Sequence, residues 1–309
     1  MLNLNWRFKA LTQKLLWRLP GGVRMNAGLS RLMSGHDPNV ELIQKHIPTF
    51  FRHWDSLRSA RQTAEAPRAT LEIGTGWDLD VALLMSLHGV QTVTTADVFR
   101  HVRFGQVRQS LSLFEALIPQ IASHAERDPS IARKEWERLM NAGSLDNLCE
   151  CGRIRYLAPV SSDYREIQDD FIDFCCSTSV FEHVRAEEIR QILAATRCKL
   201  RLGGISSHII DIKDHFAYFQ RNLPYNNFLR YSRKAWEWWA DNPMSYLNRM
   251  SPSDWRAIFQ ETGYEMVKMQ AIEERELPKL RPDMIHHEQR HRSVEDLAIG
   301  EIHIVARRR

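Results

Sequence analysis

No apolar run in this 309-residue chain approaches the roughly 20 residues that a membrane-spanning helix needs, so no such span is expected. Leu15-Leu16-Trp17 is too short for the apolar core of a secretory signal, and Arg18 interrupts it. Cysteine is scarce. Cys149, Cys151, Cys175, Cys176 and Cys198 make an odd set of five, which argues against a disulfide framework and for a reducing, cytoplasmic setting. Cys149 and Cys151 could offer two thiolates, but no second pair stands at ligand spacing, so no metal is expected. The net charge is only +4, too mild to imply nucleic acid by itself. Internal repeats, low-complexity segments and a G-x-x-x-x-G-K-[ST] phosphate loop are all missing.

What is present is an ordinary globular composition, 43% hydrophobic and 26% charged. One stretch is informative above the rest. Leu71-Glu72-Ile73-Gly74-Thr75-Gly76-Trp77-Asp78 reads as a buried strand running into a glycine turn. A helix over 79–88 follows, with Asp78 as its expected N-cap and Gly89 as its stop. Residues 90–98 then form a second strand with Asp97 at its end. Strand, glycine loop, helix and acidic strand tip make a nucleotide-binding α/β unit, in which glycines admit the ligand and the carboxylate suits a ribose diol.

The loop does not suit a dinucleotide. An NAD fingerprint wants a small residue where Leu79 stands, and Asp78 at the helix entrance would repel a pyrophosphate. A phosphate-free cationic ligand fits better. With those residues in view, the chain resembles class I S-adenosylmethionine-dependent methyltransferases of the small-molecule branch. Leu71 to Gly76 looks like that family's first motif, although Asp78 replaces its usual third glycine. D-F-C-C-S-T-S-V-F-E-H-V, from Asp173 to Val184, is similar to its fourth-strand pattern, and Leu200-Arg201-Leu202-Gly203-Gly204 resembles the turn before its fifth strand. The resemblance implies S-adenosylmethionine as cofactor, held by Glu72, Gly74, Thr75, Gly76, Asp97, Asp163 and Ser177. Asp97 would take the ribose hydroxyls, and Asp163 the adenine amine. It also implies a doubly wound, mostly parallel seven-stranded Rossmann-like sheet with a final antiparallel hairpin and helical insertions.

The chain is expected to divide into a basic amphipathic segment, 1–36, and a methyltransferase domain, 37–309. Six basic residues and no acidic one lie in 1–36, beside Trp6, Leu11, Leu15 and Trp17. Two readings stand: a helix packed on the body, which is favoured, or peripheral contact of residues 1–34 with an anionic membrane. More than fifty residues separate Asp97 from the next strand at 153–157, so about 100–152 is a helical insertion, serving as a substrate cover or a homodimer arm. Eleven of the 29 aromatics fall in 215–255, an aromatic flap (about 213–250) that either stacks a sugar or ring acceptor or forms its own small core. Residues 225–230 look like its tip, and Arg230 or Arg249 could meet an anionic acceptor. Residues 264–273 and 302–305 are the closing strands, with a charged, helix-like link between them.

An oxygen acceptor must lose a proton, and histidine titrates in the useful range. His183, His208, Asp211 and the Asp214-His215 pair stand near the carboxyl ends of strands. His215 is the expected base, Asp214 its helper and His183 a pocket residue, whereas mid-strand His208 reads as core. Without a [DN]-P-P-[FYW] signature or a Pro-Cys nucleophile, a nucleic-acid partner is not expected. The expected activity is O-methylation of a small molecule, saccharide or lipid-linked glycan. An NAD-type oxidoreductase and a non-catalytic cofactor-binding scaffold are the alternatives.

Overall fold

A computed structural model describes residues 5–19, 40–220, 222–240, 242, 246–293 and 295–309. Seven strands build one sheet: β1 (Ala69–Ile73), β2 (Thr92–Ala96), β3 (Ile154–Leu157), β4 (Ile172–Thr178), β5 (Leu200–Asp211), β6 (Tyr264–Glu273) and β7 (Ile299–Arg308). Their order is β3-β2-β1-β4-β5-β7-β6. The first five run parallel, and β7 pairs antiparallel with both β5 and β6. This is the seven-stranded, Rossmann-like sheet with a closing antiparallel hairpin that the sequence predicts. All five residues of β1 are buried, as a central strand covered on both faces requires.

Two apolar layers enclose the sheet. One contains helix α2 (Val40–Arg61), whose Ile43, Ile47, Phe50, Trp54 and Leu57 form a buried stripe, and α3 (Asp80–Leu87). The same layer takes in α4 (Phe104–Phe114), α5 (Ile118–His124), α6 (Pro129–Met140) and α7 (Leu145–Cys151). The other layer holds α8 (Ala186–Lys199) and α11 (Pro252–Glu261). Ser251 and Asp254 open α11 with a reciprocal capping box.

Several expectations need correction. The helix after the glycine loop starts at Asp80, and Asp78 is not its cap. Leu79 holds that position in a left-handed conformation (φ 61°) with its side chain fully buried. The insertion packs on one face of the sheet, where Val107, Leu111, Ile121, Trp136 and Leu148 are all core residues. It replaces a short crossover helix, and it contains α7, which the sequence reading missed. Among the described residues, the link between β6 and β7 forms short 3-10 turns rather than a helix. Strand β5 runs through Gly203-Gly204 instead of starting after it, with an irregular register opposite Ile172 and Phe174.

The aromatic segment makes a third core. It includes α9 (Phe216–Phe219), the 3-10 turn Asn227–Arg230 and α10 (Arg233–Ala240). Phe216, Phe228, Leu229 and Trp236 pack with Leu280 and Ile285 from the β6–β7 link. Residues 225–229 are therefore interior rather than a tip. Helix α1 (Trp6–Trp17) completes this core, inserting Trp6 (4% exposed) against Phe216, Tyr231, Trp236 and Trp239 at ring separations of 5.1–5.9 Å. Trp6 N–H also donates to Gln220 Oε1. The favoured packing reading of the N-terminal segment thus describes residues 5–19, while 20–36 fall outside the described residues. Trp6→Ala should remove about 3 kcal/mol from this layer, read as faster limited proteolysis within 213–250. Unchanged cleavage would contradict the packing role.

Candidate cofactor and acceptor site

The loop leaving β1 is fastened to the end of β2. Gly74 N–H donates to the Ala96 carbonyl at 2.8 Å, and Gly76 N–H donates to Asp97 Oδ2 at 3.3 Å. Both glycines have left-handed φ, 85° and 71°. A Cβ on Gly74 would sit 2.3 Å from Val180 Cγ2, so packing demands glycine there. A Cβ on Gly76 would meet nothing within 4 Å, so that backbone borders open space beside Asp97. Asp97 Oδ1 accepts from Phe99 N–H at 3.0 Å, which fixes the half-buried carboxylate at the strand tip. Trp77 from the loop stacks on His101 with ring centroids 4.3 Å apart, a wall that the sequence reading did not identify.

Beneath the loop, Thr95 Oγ1 donates to Glu72 Oε2 at 2.6 Å and lies 2.7 Å from Thr75 Oγ1. Burial pushes the Glu72 carboxyl up to about 8, against the opposing effect of the Thr95 hydrogen bond. Asp78 is raised to about 7, by burial and then by the adjacent Asp80 carboxylate. Asp80 itself is 2.8 Å from His46 Nδ1 on α2. These interactions occupy the entrance where the third glycine of the resembled motif would stand.

Two expected cofactor ligands sit differently. Asp163 is exposed beyond β3 and lies 3.4 Å from Arg165 Nε, although Val160 N–H donates to the Asp97 carbonyl and brings this segment past the strand tip. Ser177 is inside β4, buried, with Oγ 2.7 Å from His208 Nδ1. The Ser177 hydroxyl is thus engaged with His208 within the sheet. His208 also meets Ser206 and is the satisfied core residue expected.

Past β4 and β5 the chain brings His183 and His215 together, with ring centroids 4.8 Å apart at 69°. His183 Nδ1 lies 3.0 Å from the Tyr246 carbonyl, which can only accept, so the proton is on Nδ1 and Nε2 keeps its lone pair. Burial, and then His215, lower the His183 pKa to about 4. The expected helper of His215 requires correction. Asp214 is fully buried, accepting from Asn227 Nδ2 and Phe216 N–H, whereas Asp211 Oδ2 stands 3.5 Å from His215 Nε2. Tyr218 and Lys213 bind the same Asp211 carboxylate and, despite its burial, help His215 hold it at about 2. Glu182, quoted in the motif but given no role, is 1% exposed beside these histidines. A cavity of about 170 Å³ opens here, lined by Lys9, Gln13, His183, His215, Trp236 and Tyr246 among others.

No family model matches the chain, and no curated protein does either. Solved structures do. A putative methyltransferase from Bacillus halodurans C-125 shares 14% identity over 82% of this chain and 99% of its own, with TM-score 0.41. An S-adenosylmethionine-dependent methyltransferase from Mesorhizobium loti shares 13% over 83% and 97%, with TM-score 0.45. The geranyl diphosphate C-methyltransferase of Streptomyces coelicolor A3(2) shares 9% over 83% and 77%, with TM-score 0.43. Its own strand order and reversed seventh strand give the chain the Rossmann-like topology that the resemblance to class I S-adenosylmethionine-dependent methyltransferases implies.

The raised Glu72 pKa has a signed consequence. Between the ordinary carboxyl value and about 8, the folded chain keeps a proton that the unfolded chain has released, so stability falls as pH rises. The histidines titrate in both proteins, so the difference between the two pH profiles isolates Glu72. From pH 6.5 to 8, Glu72→Gln should remove up to about 1.4 kcal/mol of loss per pH unit, measured by urea unfolding. Parallel pH profiles for the two proteins would contradict the assignment.

Proposed function

We propose that this protein is an S-adenosylmethionine-dependent methyltransferase that methylates an oxygen of a small molecule, saccharide or lipid-linked glycan. The observation that carries the reading is Asp97, held by Gly76 N–H at the mouth of an open glycine loop. Glycines 74 and 76 would lie against the methionine portion, Thr75 and Glu72 would set the loop, and Asp97 would accept the ribose hydroxyls. Asp163 retains its proposed place toward the adenine only if its rim segment turns inward. Methyl transfer requires in-line approach, and an oxygen acceptor must also lose a proton, so the chain's main contribution is positioning. His183 and His215 stand on the acceptor side, with Asp211 behind His215. In the absence of any ion, His215 is the proposed base.

Two features favour an acceptor that carries anionic groups. Beyond Trp236, Tyr246 and Leu247 lies a groove of about 750 Å³, bordered by Arg185, Arg190, Arg233, Arg249 and Arg292 against four carboxylates. Arg249, expected to meet an anion, donates to the Phe228 and Tyr231 carbonyls and is thereby fixed at this border. A diphosphate-linked or carboxylated sugar suits such a groove. The NAD-type alternative is disfavoured by the fully buried Leu79 at the helix entrance and by Asp78 next to it. A scaffold would bind the cofactor without turnover.

Calorimetric titration should show S-adenosylhomocysteine binding and no saturable NAD binding, and Asp97→Ala should weaken the former about 10- to 150-fold. NAD binding, or unchanged affinity in the variant, would remove the assignment.

Peripheral membrane contact is a second proposal with its own observation. Phe8, Leu11, Leu15 and Leu19 face outward from α1 and the residues just past it, with Phe8 and Leu15 60% and 63% exposed. Arg7, Lys14 and Arg18 accompany them, although Lys14 also contacts Trp238. Among the described residues no helix is long and apolar enough to cross a membrane. Phe8→Ser with Leu15→Ser should reduce co-sedimentation with anionic vesicles at least about tenfold. Equal sedimentation of both proteins would refute the contact.

A further inference from the structure

We infer that Glu182, His183 and His215 form a site for one divalent first-row transition-metal ion. One carboxylate oxygen of Glu182 and one nitrogen from each ring lie within 4.8 Å of one another. They come from the turn after β4 and the residue that opens α9, so the topology of the sheet brings them together. Three atoms each about 2.1 Å from one ion lie about 3–3.6 Å apart, so side-chain rotation of these residues, whose ligand atoms already lie within 4.8 Å, closes the site.

The independent observation is Glu182. Its side chain is 1% exposed, and neither carboxylate oxygen has a hydrogen-bond partner. A buried carboxyl group left this way either keeps its proton or meets a cation. His183 is prepared as a ligand, because its Nδ1–H is committed to the Tyr246 carbonyl and Nε2 is left with its lone pair. A backbone carbonyl behind a metal-binding imidazole fixes the ring in this manner. Asp211 Oδ2 lies 3.5 Å from His215 Nε2, an ion-pair distance that leaves this nitrogen without a hydrogen bond. Two imidazoles and one carboxylate select a transition ion over magnesium or calcium, which favour all-oxygen shells.

The other groupings carry less. In the His46, Asp78 and Asp80 cluster, His46 Nδ1 and Asp80 Oδ2 are already paired with each other at 2.8 Å. His286, His287 and Glu288 lie mostly on the surface.

Three protein ligands leave coordination positions open, and His183 and His215 also line the 170 Å³ cavity. An ion here would face that cavity and bind oxygen atoms of the acceptor. It would replace His215 as the group that activates the acceptor oxygen. This role rests on the methyltransferase reading; the existence of the site does not.

The test uses full-length protein stripped with chelator and titrated with Co²⁺, followed by visible absorption and by equilibrium dialysis. One ion per chain is expected, with a ligand-field band. Glu182→Gln and His215→Gln should each weaken binding at least about tenfold while leaving S-adenosylhomocysteine affinity within about twofold. Absence of stoichiometric uptake by the wild-type protein, or equal uptake by a folded His215→Gln variant, overturns the site. Loss of S-adenosylhomocysteine binding by the wild-type protein would instead count against the methyltransferase reading and leave the ion titration standing.

Discussion

Thr95 is the point on which the cofactor side of the molecule turns. Its hydroxyl sits between Glu72 and Thr75, joining the interior of β1, the loop that leaves it and the neighbouring β2. With one proton to give, Thr95 bonds both neighbours only if one of them supplies the other proton. With Thr95 donating to Glu72, the Thr75 hydroxyl supplies the second proton. The loop is thus set from below by a buried hydroxyl relay and from above by the two glycine N–H groups bound to the end of β2. Its open face, at Gly76, is what remains for a ligand.

The acceptor side is governed by a different constraint. Three separate stretches, α1, the aromatic segment and the β6–β7 link, each have too little apolar surface to form a core alone. They share one around Trp6, Trp236 and Leu280. That shared core walls the cavity next to His183 and His215, with Trp236 belonging to both. The aromatic richness of 215–255 is therefore spent mostly on packing, and the polar groups at its edge are what an acceptor would meet.

The sequence made the strand pattern legible because hydrophobic runs ending in glycine or aspartate leave few alternatives. β1, β4, β6, α8 and α11 lie within a residue or two of where periodicity puts them. It misled where tertiary contacts override local signals. Asp78 has the chemistry of a cap, but the buried Leu79 side chain and the Asp80–His46 pair pull the helix start past it. Ser177 lies near the end of a strand in a suggestive place, yet its hydroxyl turns to a histidine 31 residues away. Asp211 and Asp214 are indistinguishable partners of His215 on paper; only the fold shows that Asn227 takes one of them. Nothing local reveals that Glu182 is enclosed, since its burial depends on segments far along the chain, including Asn248, whose N–H donates to the Glu182 carbonyl.

The most direct measurement is a crystal structure of the protein with S-adenosylhomocysteine. The account predicts both ribose hydroxyls within hydrogen-bond reach of Asp97 and the amino-acid portion lying over Gly74 and Gly76. A ligand seated elsewhere, or one in this crevice that leaves Asp97 without contact, would contradict it.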